Sequence, residues 1–188
     1  FSMKPAKEFF AFDLGRIGYE KAFNLQVEIF ELIKDTDFGG VILLLEHDPV
    51  ITIGSNSNMS NIVAAKESLS SQGIELLQSN RGGDVTFHGP GQLVCYPIFN
   101  LKYFGQDLTL FVYNLEEVIL SVIAEYSISG FRINKLRGVF TEKGKIASIG
   151  LRVKKWITLH GFSLNANVNL EYFKNIIACG LKDYRQTS

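Results

Sequence analysis

Gly138-Val139-Phe140-Thr141-Glu142-Lys143-Gly144-Lys145-Ile146-Ala147-Ser148-Ile149-Gly150-Leu151-Arg152-Val153 is the stretch that decides the fold. Two strand-like runs, residues 138–142 and 145–153, meet across Lys143-Gly144. So short a turn joins antiparallel neighbours, because a parallel pair needs a crossover of about a dozen residues or more. Residues 156–166 alternate in the same way and read as another strand. Upstream, residues 84–88 and 93–99 read as strands separated by the turn Gly89-Pro90-Gly91. These hairpins argue against a doubly wound parallel sheet.

Working outward, residues 8–14 read as a first strand. Residues 19–34 read as an amphipathic helix, with Phe23, Val27, Phe30 and Ile33 recurring three and four apart. Residues 41–46 are a buried strand, and residues 50–54 are expected to pair near it after the Asp48-Pro49 turn. A helix is expected over 61–72, a strand over 74–78, a second long helix over 108–126 and a short helix over 170–174. The pattern predicts an α/β fold of the α+β type: a mixed, largely antiparallel sheet flanked by helices. No linker or repeat divides residues 1–188, which read as a single domain.

The 188 residues are enough for a sizeable core, and 46% hydrophobic against 20% charged residues excludes a disordered chain. Net charge is zero, so nothing favours nucleic acid. The longest dense apolar run, residues 41–45, is far too short to span a bilayer. Residues 1–5 do not read as a signal peptide, and Met3 reads as a natural start. Two cysteines, Cys95 and Cys179, fit a reducing compartment, with no C-x-x-C pair to suggest zinc or redox chemistry.

Three segments carry candidate chemistry. Cys179 follows Ile176-Ile177-Ala178 and precedes Gly180; as a lone thiol it reads equally as a small buried hydrophobe. A thiol attacks only as thiolate, which a nearby ammonium favours. Lys145 is such an ammonium if the fold brings it near. Strand alternation places Lys145, Ala147 and Ile149 on one face and Ile146 and Ser148 on the other. The bland reading of Lys145 is a solvated lysine beside Lys143. Together the two residues would suit acyl transfer. The third segment is Arg81-Gly82-Gly83-Asp84-Val85-Thr86-Phe87-His88-Gly89-Pro90-Gly91-Gln92, whose glycines allow close backbone approach to a ligand. It reads equally as a glycine-rich hairpin loop, and it is neither a dinucleotide fingerprint nor a Walker motif. Cys95 sits in a core strand and receives no chemistry. His47, His88 and His160 are scattered without metal-ligand spacing.

Taken together, Glu46-His47-x-Pro49-Val50-x-Thr52-x-Gly54, the block from Arg81 to Ile98, Gly138-Val139, Lys145-Ile146-Ala147-Ser148-Ile149-Gly150, His160-Gly161 and Cys179-Gly180 resemble the lipoyl(octanoyl) transferases. The resemblance implies the fold of the lipoate- and biotin-protein ligase catalytic domains. It implies transfer of an octanoyl group from octanoyl-acyl carrier protein to a lysine of a lipoyl domain, in 2-oxoacid dehydrogenase complexes or the glycine cleavage H protein. It gives Cys179 as nucleophile and Lys145 as its partner. It gives Arg81, Gly82, Gly83, Asp84, Val85, Thr86, Phe87 and His88, with Ser148, Ile149, Gly150, Gly161, Phe162 and Ser163, as substrate contacts. It implies a cytoplasmic enzyme without cofactor, metal, nucleic acid or membrane. Backbone amides near Gly180 or Gly150 would stabilise the oxyanion, and Lys135, Arg137, Arg152, Lys154 and Lys155 are candidates for a basic rim facing acidic partners. Two residues depart from the pattern: Ala178 stands where the family usually has proline, and Phe140 where it has tryptophan. The rivals are an ATP-dependent lipoate or biotin ligase, and a non-catalytic acyl-carrier-binding module.

Overall fold

The computed structural model describes residues 8–181 and 184–188; the opening residues 1–5 read above lie outside them. Among the described residues nine strands form two sheets. The larger uses β1 (Phe9–Ile17), β2 (Gly40–His47), β6 (Gln92–Phe99), β7 (Val139–Thr141), β8 (Gly144–Lys154) and β9 (Ile157–Asn165) in the order β1-β2-β6-β9-β8-β7. In this sheet only β1–β2 is parallel; the other pairs are antiparallel. The smaller has β3 (Val50–Ile53) between β4 (Glu75–Gln78) and β5 (Thr86–His88).

Helix α1 (Tyr19–Ile33) packs on one face of the large sheet, burying Ala22, Ile29, Phe30 and Ile33 against Val41, Leu43, Val94, Ile98 and Leu159. The buried stripe is displaced from the expected one: Val27 lies outside it, while Tyr19 and Gln26 lie inside. Helix α3 (Leu108–Glu125), capped by the Asp107 side chain on the Leu110 N–H, covers the other face with Phe111, Leu115, Ile119 and Ile123 against Ile146, Phe162 and Leu164. Between them lie strands buried on both sides, most completely β9, in which every residue is buried. Among the described residues no helix is long and apolar enough to cross a membrane.

Three local expectations differ from the structure. Residues 50–54 do not pair with β2; β3 leaves the large sheet and pairs with β4 and β5. Residues 84–88 and 93–99 are not a paired hairpin either, since β5 and β6 belong to different sheets. The helix expected over 61–72 is a 3₁₀ turn, Met59–Asn61, and a short α2 (Lys66–Ser71). Between them the backbone is spent elsewhere: the Val63 and Ala64 N–H groups both donate to the Asn175 carbonyl, and Ile62 bridges to Ile176. The short helix expected over 170–174 is present, as a 3₁₀ helix over Leu170–Asn175.

Candidate active site

Cys179 sits in a 3₁₀ turn, Ala178–Gly180, with φ +56° and ψ +19°. That left-handed conformation is costly for a side-chain-bearing residue and marks sites held by their surroundings. Its surroundings are explicit. The Cys179 N–H donates to the Val85 carbonyl (2.9 Å), the Gly180 N–H to Ile177 O (3.0 Å) and the Ile177 N–H to Asn61 O (2.7 Å). Asp84 ties the same loop down, accepting from the Asn58 and Val85 N–H groups (3.0 and 2.8 Å) and from the Asn61 side chain. These bonds correct one expectation: the Gly180 amide is already used within the turn and is not a free oxyanion donor.

Lys145 reaches this thiol from β8. It is 2% exposed, so the solvated-lysine reading fails. Its Nζ lies 3.8 Å from Cys179 Sγ, and Ser148 Oγ lies 3.9 Å from the same sulfur. Simple alternation put Lys145 and Ser148 on opposite faces. The register shows why they converge: Val139 pairs with Ala147, but the next residue, Phe140, pairs with Lys145. Ile146 is the extra residue of a β-bulge, which resets the alternation and re-aims the lysine. Phe140, at the departed tryptophan position, still lies beneath the ammonium, 5.5 Å from Nζ to the ring centroid. Gly138 (φ +114°) is required there, because a Cβ would come within 2.2 Å of Ala147 O and 2.9 Å of Lys145 Cε.

Cys179, Lys145 and Ser148 line a cavity of about 400 Å³, a size in the range of small-molecule sites. Of the expected substrate contacts, Arg81, Gly82, Gly83, Asp84, Thr86, His88, Ile149, Gly150, Gly161, Phe162 and Ser163 also line it. Val85 and Phe87 do not. Thr86 and His88 face the cavity, so the strand's two-residue period turns Phe87 into the core under the small sheet, against Tyr172 and Phe173, where Val85 also lies. Of the five basic candidates for the rim, Lys135 and Arg137 reach the cavity; Lys154 instead lies over the Phe30 ring.

The inner wall holds what the sequence spacing did not reveal: the three scattered histidines gather around Tyr96 and Tyr19. His47 Nδ1 donates to the Ile17 carbonyl (2.8 Å), so its Nε2 accepts from the Tyr96 hydroxyl (2.7 Å). Gln92 Nε2 donates to Phe87 O and Asn165 Oδ1, which fixes Gln92 Oε1 as the acceptor from His88 Nδ1 (2.7 Å) and leaves His88 Nε2 an acceptor. His160 Nε2 donates to Asn80 Oδ1 (2.7 Å), while its buried Nδ1 has no hydrogen-bond partner among the described residues. Burial, reinforced by His47 and Arg81, lowers the pKa of His88 to about 3. Burial and Arg81 take His160 equally low, to about 3. Both rings are therefore neutral at physiological pH. Among the described residues no group of His, Cys, Asp or Glu is arranged to hold a metal. Cys95 lies in the β6 core, where burial pushes its thiol up to about 12 and keeps it inert.

Gly161 borders the cavity, but its lack of a side chain serves strand packing. A Cβ there would lie 2.0 Å from Cys95 O and 2.6 Å from Pro97 Cδ. Gly161→Ala is therefore expected to destabilise the fold by about 3 kcal/mol or more, as overpacking against backbone does. A chemical melt within about 1 kcal/mol of wild type would show that β6 and β9 can separate.

Residues 18–188 match the lipoyl protein ligase A/B catalytic domain. An octanoyltransferase of Caldicellulosiruptor saccharolyticus is 47% identical over 93% of this chain and 75% of its own length. One of Clostridium kluyveri is 43% identical over 89% of this chain and 72% of its own. The chain belongs to the octanoyltransferase family. As a member of it, this protein is an acyltransferase, and Cys179 and Lys145 both lie within the residues that the family domain covers. A lipoate-protein ligase A solved with ATP shares the fold at 13% identity and TM-score 0.74, covering 92% of this chain and 72% of that one. A bipartite lipoate protein ligase of Thermoplasma acidophilum does so at 15% and 0.71, over 90% and 65%.

Proposed function

We propose that this octanoyltransferase-family protein moves an octanoyl group through a thioester on Cys179. The observation that carries the reading is Lys145 Nζ at 3.8 Å from Sγ, with both residues lining one cavity. Lys145 takes the thiol proton, and the thiolate attacks the carbonyl carbon of octanoyl-acyl carrier protein. The tetrahedral oxyanion forms beside Lys145 and Ser148, whose polar hydrogens are the nearest donors to the sulfur. Collapse expels the carrier thiolate, to which Lys145 returns the proton. The amine of an acceptor lysine then attacks the acyl-enzyme, loses a proton to Lys145 and releases the Cys179 thiolate.

The acceptors are lipoyl domains of 2-oxoacid dehydrogenase complexes and the glycine cleavage H protein. Lys135 and Arg137 at the cavity rim suit acidic carrier and acceptor surfaces. The enzyme acts as a single domain in the cytoplasm, where its two thiols stay reduced. The donor is already an activated thioester, so the chemistry needs no ATP, metal or cofactor. A partly buried thiol 3.8 Å from Lys145 Nζ favours this reading over an ATP-dependent ligase or a silent binding module.

Intact mass spectrometry tests it. Incubation with octanoyl-carrier protein should add one octanoyl group, mapped to Cys179 and absent in Cys179→Ala. An adduct on Cys95, or octanoylation of a lipoyl domain only with octanoate and ATP, would overturn the assignment.

A further inference from the structure

The backbone of Lys145 is held by a segment far from it in sequence. Its N–H donates to Arg185 O (2.9 Å), and its carbonyl accepts from the Thr187 N–H (3.0 Å). Residues 185–187 therefore run parallel to β8 at this point, with Gln186 opposite Lys145. This strap stands in for a strand. Phe140, the β7 residue paired with Lys145, exchanges its own N–H and carbonyl with Phe131 (2.9 and 2.8 Å). The pairing of β8 with β9 ends at Ala147↔Leu164. Gly144 (φ +143°) permits the close approach, because a Cβ there would lie 2.3 Å from Arg185 O. Lys145 is buried, so without the strap it would carry two unmet backbone groups beside a β-bulge.

The strap is tied to the sheet by Asn165, the last residue of β9. Asn165 Nδ2 donates to Thr187 O (2.9 Å), and its Oδ1 accepts from Gln92 Nε2 (2.9 Å). Gln92 Oε1 accepts from His88 Nδ1 (2.7 Å). Every donor in this series points toward β8: His88 to Gln92, Gln92 to Asn165, Asn165 to Thr187, Thr187 to Lys145. All five residues are buried, where linked hydrogen bonds strengthen one another and a broken link is costly. A second tether, Arg185 Nε to Lys143 O (2.6 Å), is exposed. Gln92, Asn165 and Thr187 are not among the residues that line the cavity, so a change at Asn165 reaches the site through what it holds.

We propose that Asn165 is a positioning residue for Lys145: by pinning residues 185–187 it fixes the backbone from which the ammonium reaches Cys179. The proposal rests on the transfer reading, in which Lys145 moves a proton to and from that thiol.

Two variants test it beside Lys145→Met, with melts confirming that each is folded. Asn165→Leu keeps the volume and removes both side-chain bonds; Thr187→Pro removes the N–H that reaches Lys145 O. In each, kcat for octanoyl transfer should fall about 10–10²-fold, as an ångström-scale misplacement costs, with KM within about threefold because the cavity lining is intact. Added to Lys145→Met, Asn165→Leu should cost less than about twofold more, since the group it positions is gone. The pH profile of Cys179 alkylation, read by peptide mass, should move in the same direction in Asn165→Leu as in Lys145→Met; a purely structural asparagine would move only the melt. A folded Asn165→Leu with wild-type kcat, a loss that persists in full on top of Lys145→Met, or an alkylation profile that stays at wild type overturns the proposal. If both variants unfold, amide exchange in the wild type decides: Lys145 and Thr187 N–H groups protected alike support the strap, and a Thr187 N–H exchanging as in an open chain refutes it. An inactive Lys145→Met beside a normal Asn165→Leu defeats this proposal alone. A Lys145→Met variant near the wild-type rate defeats the transfer reading and this proposal with it.

Discussion

Lys145→Met should lower kcat/KM for octanoyl transfer by about 10²–10⁴-fold, the range lost with a general acid–base group, while leaving the melting temperature close to wild type. Methionine fills nearly the same volume, and a residue 2% exposed cannot be cut to alanine without leaving a cavity. Removing a buried charge costs the fold nothing by itself. Lys145→Arg should also fail. Guanidinium stays protonated and cannot shuttle a proton, and the space behind the side chain is closed: Cε already lies 2.9 Å from where a Cβ at Gly138 would be. Rapid-quench mass spectrometry of the acyl-enzyme separates the two half-reactions. Both should slow, because Lys145 is asked to move a proton in each. A methionine variant within tenfold of wild type would remove the lysine from the chemistry. An arginine variant at near-normal rate would reduce its role to positive charge.

The parts of this molecule that could be read from the sequence are those fixed by local pattern. The β8–β9 region announces itself through alternation and the Lys143-Gly144 turn, and both long helices through their periodicity. What failed was whatever depends on a partner strand. The Asp48-Pro49 turn suggests a hairpin, yet all four residues of β3 are buried, and its partners lie 25 residues or more along the chain, as in Val50↔Glu75 and Val50↔His88. The facing of Lys145 depends on one extra residue opposite β7, which two-residue periodicity cannot foresee. The histidines looked unrelated because they stand on β2, β5 and β9. They meet because the sheet order sets β2, β6 and β9 side by side, with Tyr96 of β6 at the centre. Near that point β6 and β9 cease to pair beyond Cys95↔Phe162. Pro97 has no N–H to offer there, and His160 takes φ +58°. The Thr158 side chain bridges the gap, accepting from the Phe99 N–H at 2.9 Å. The motifs pointed to His88 and Gly161, but nothing in them separated Phe87, which supports the core, from Thr86 and His88, which face the cavity.

The same buried histidines set how the fold responds to acid. His88 and His160 titrate near 3 in the folded protein and near 6.5 in an unfolded chain. The unfolded state therefore binds more protons between those limits, and stability rises with pH across that window. The contribution is fully present above about pH 6.5 and is lost progressively as the pH falls toward 3. At pH 5 each ring has forfeited about 2 kcal/mol, or about 4 kcal/mol together. His47, also lowered by burial, acts in the same direction. For a chain of this size that is a fall in Tm on the order of 10 °C between pH 7 and pH 5. Most carboxylates titrate lower, near 4 when unperturbed, so the window isolates the histidines. Calorimetric melts at pH 7, 6 and 5 measure the slope, and the imidazole C2–H resonances of the native protein should stay at their neutral positions throughout. Double substitution of His88 and His160 by glutamine should flatten the slope in whatever remains folded. An unchanged Tm at pH 5, or a ring of either residue titrating near 6.5 in the native state, would mean that the cavity wall is open to water and that the neutral inner surface around Arg81 does not exist.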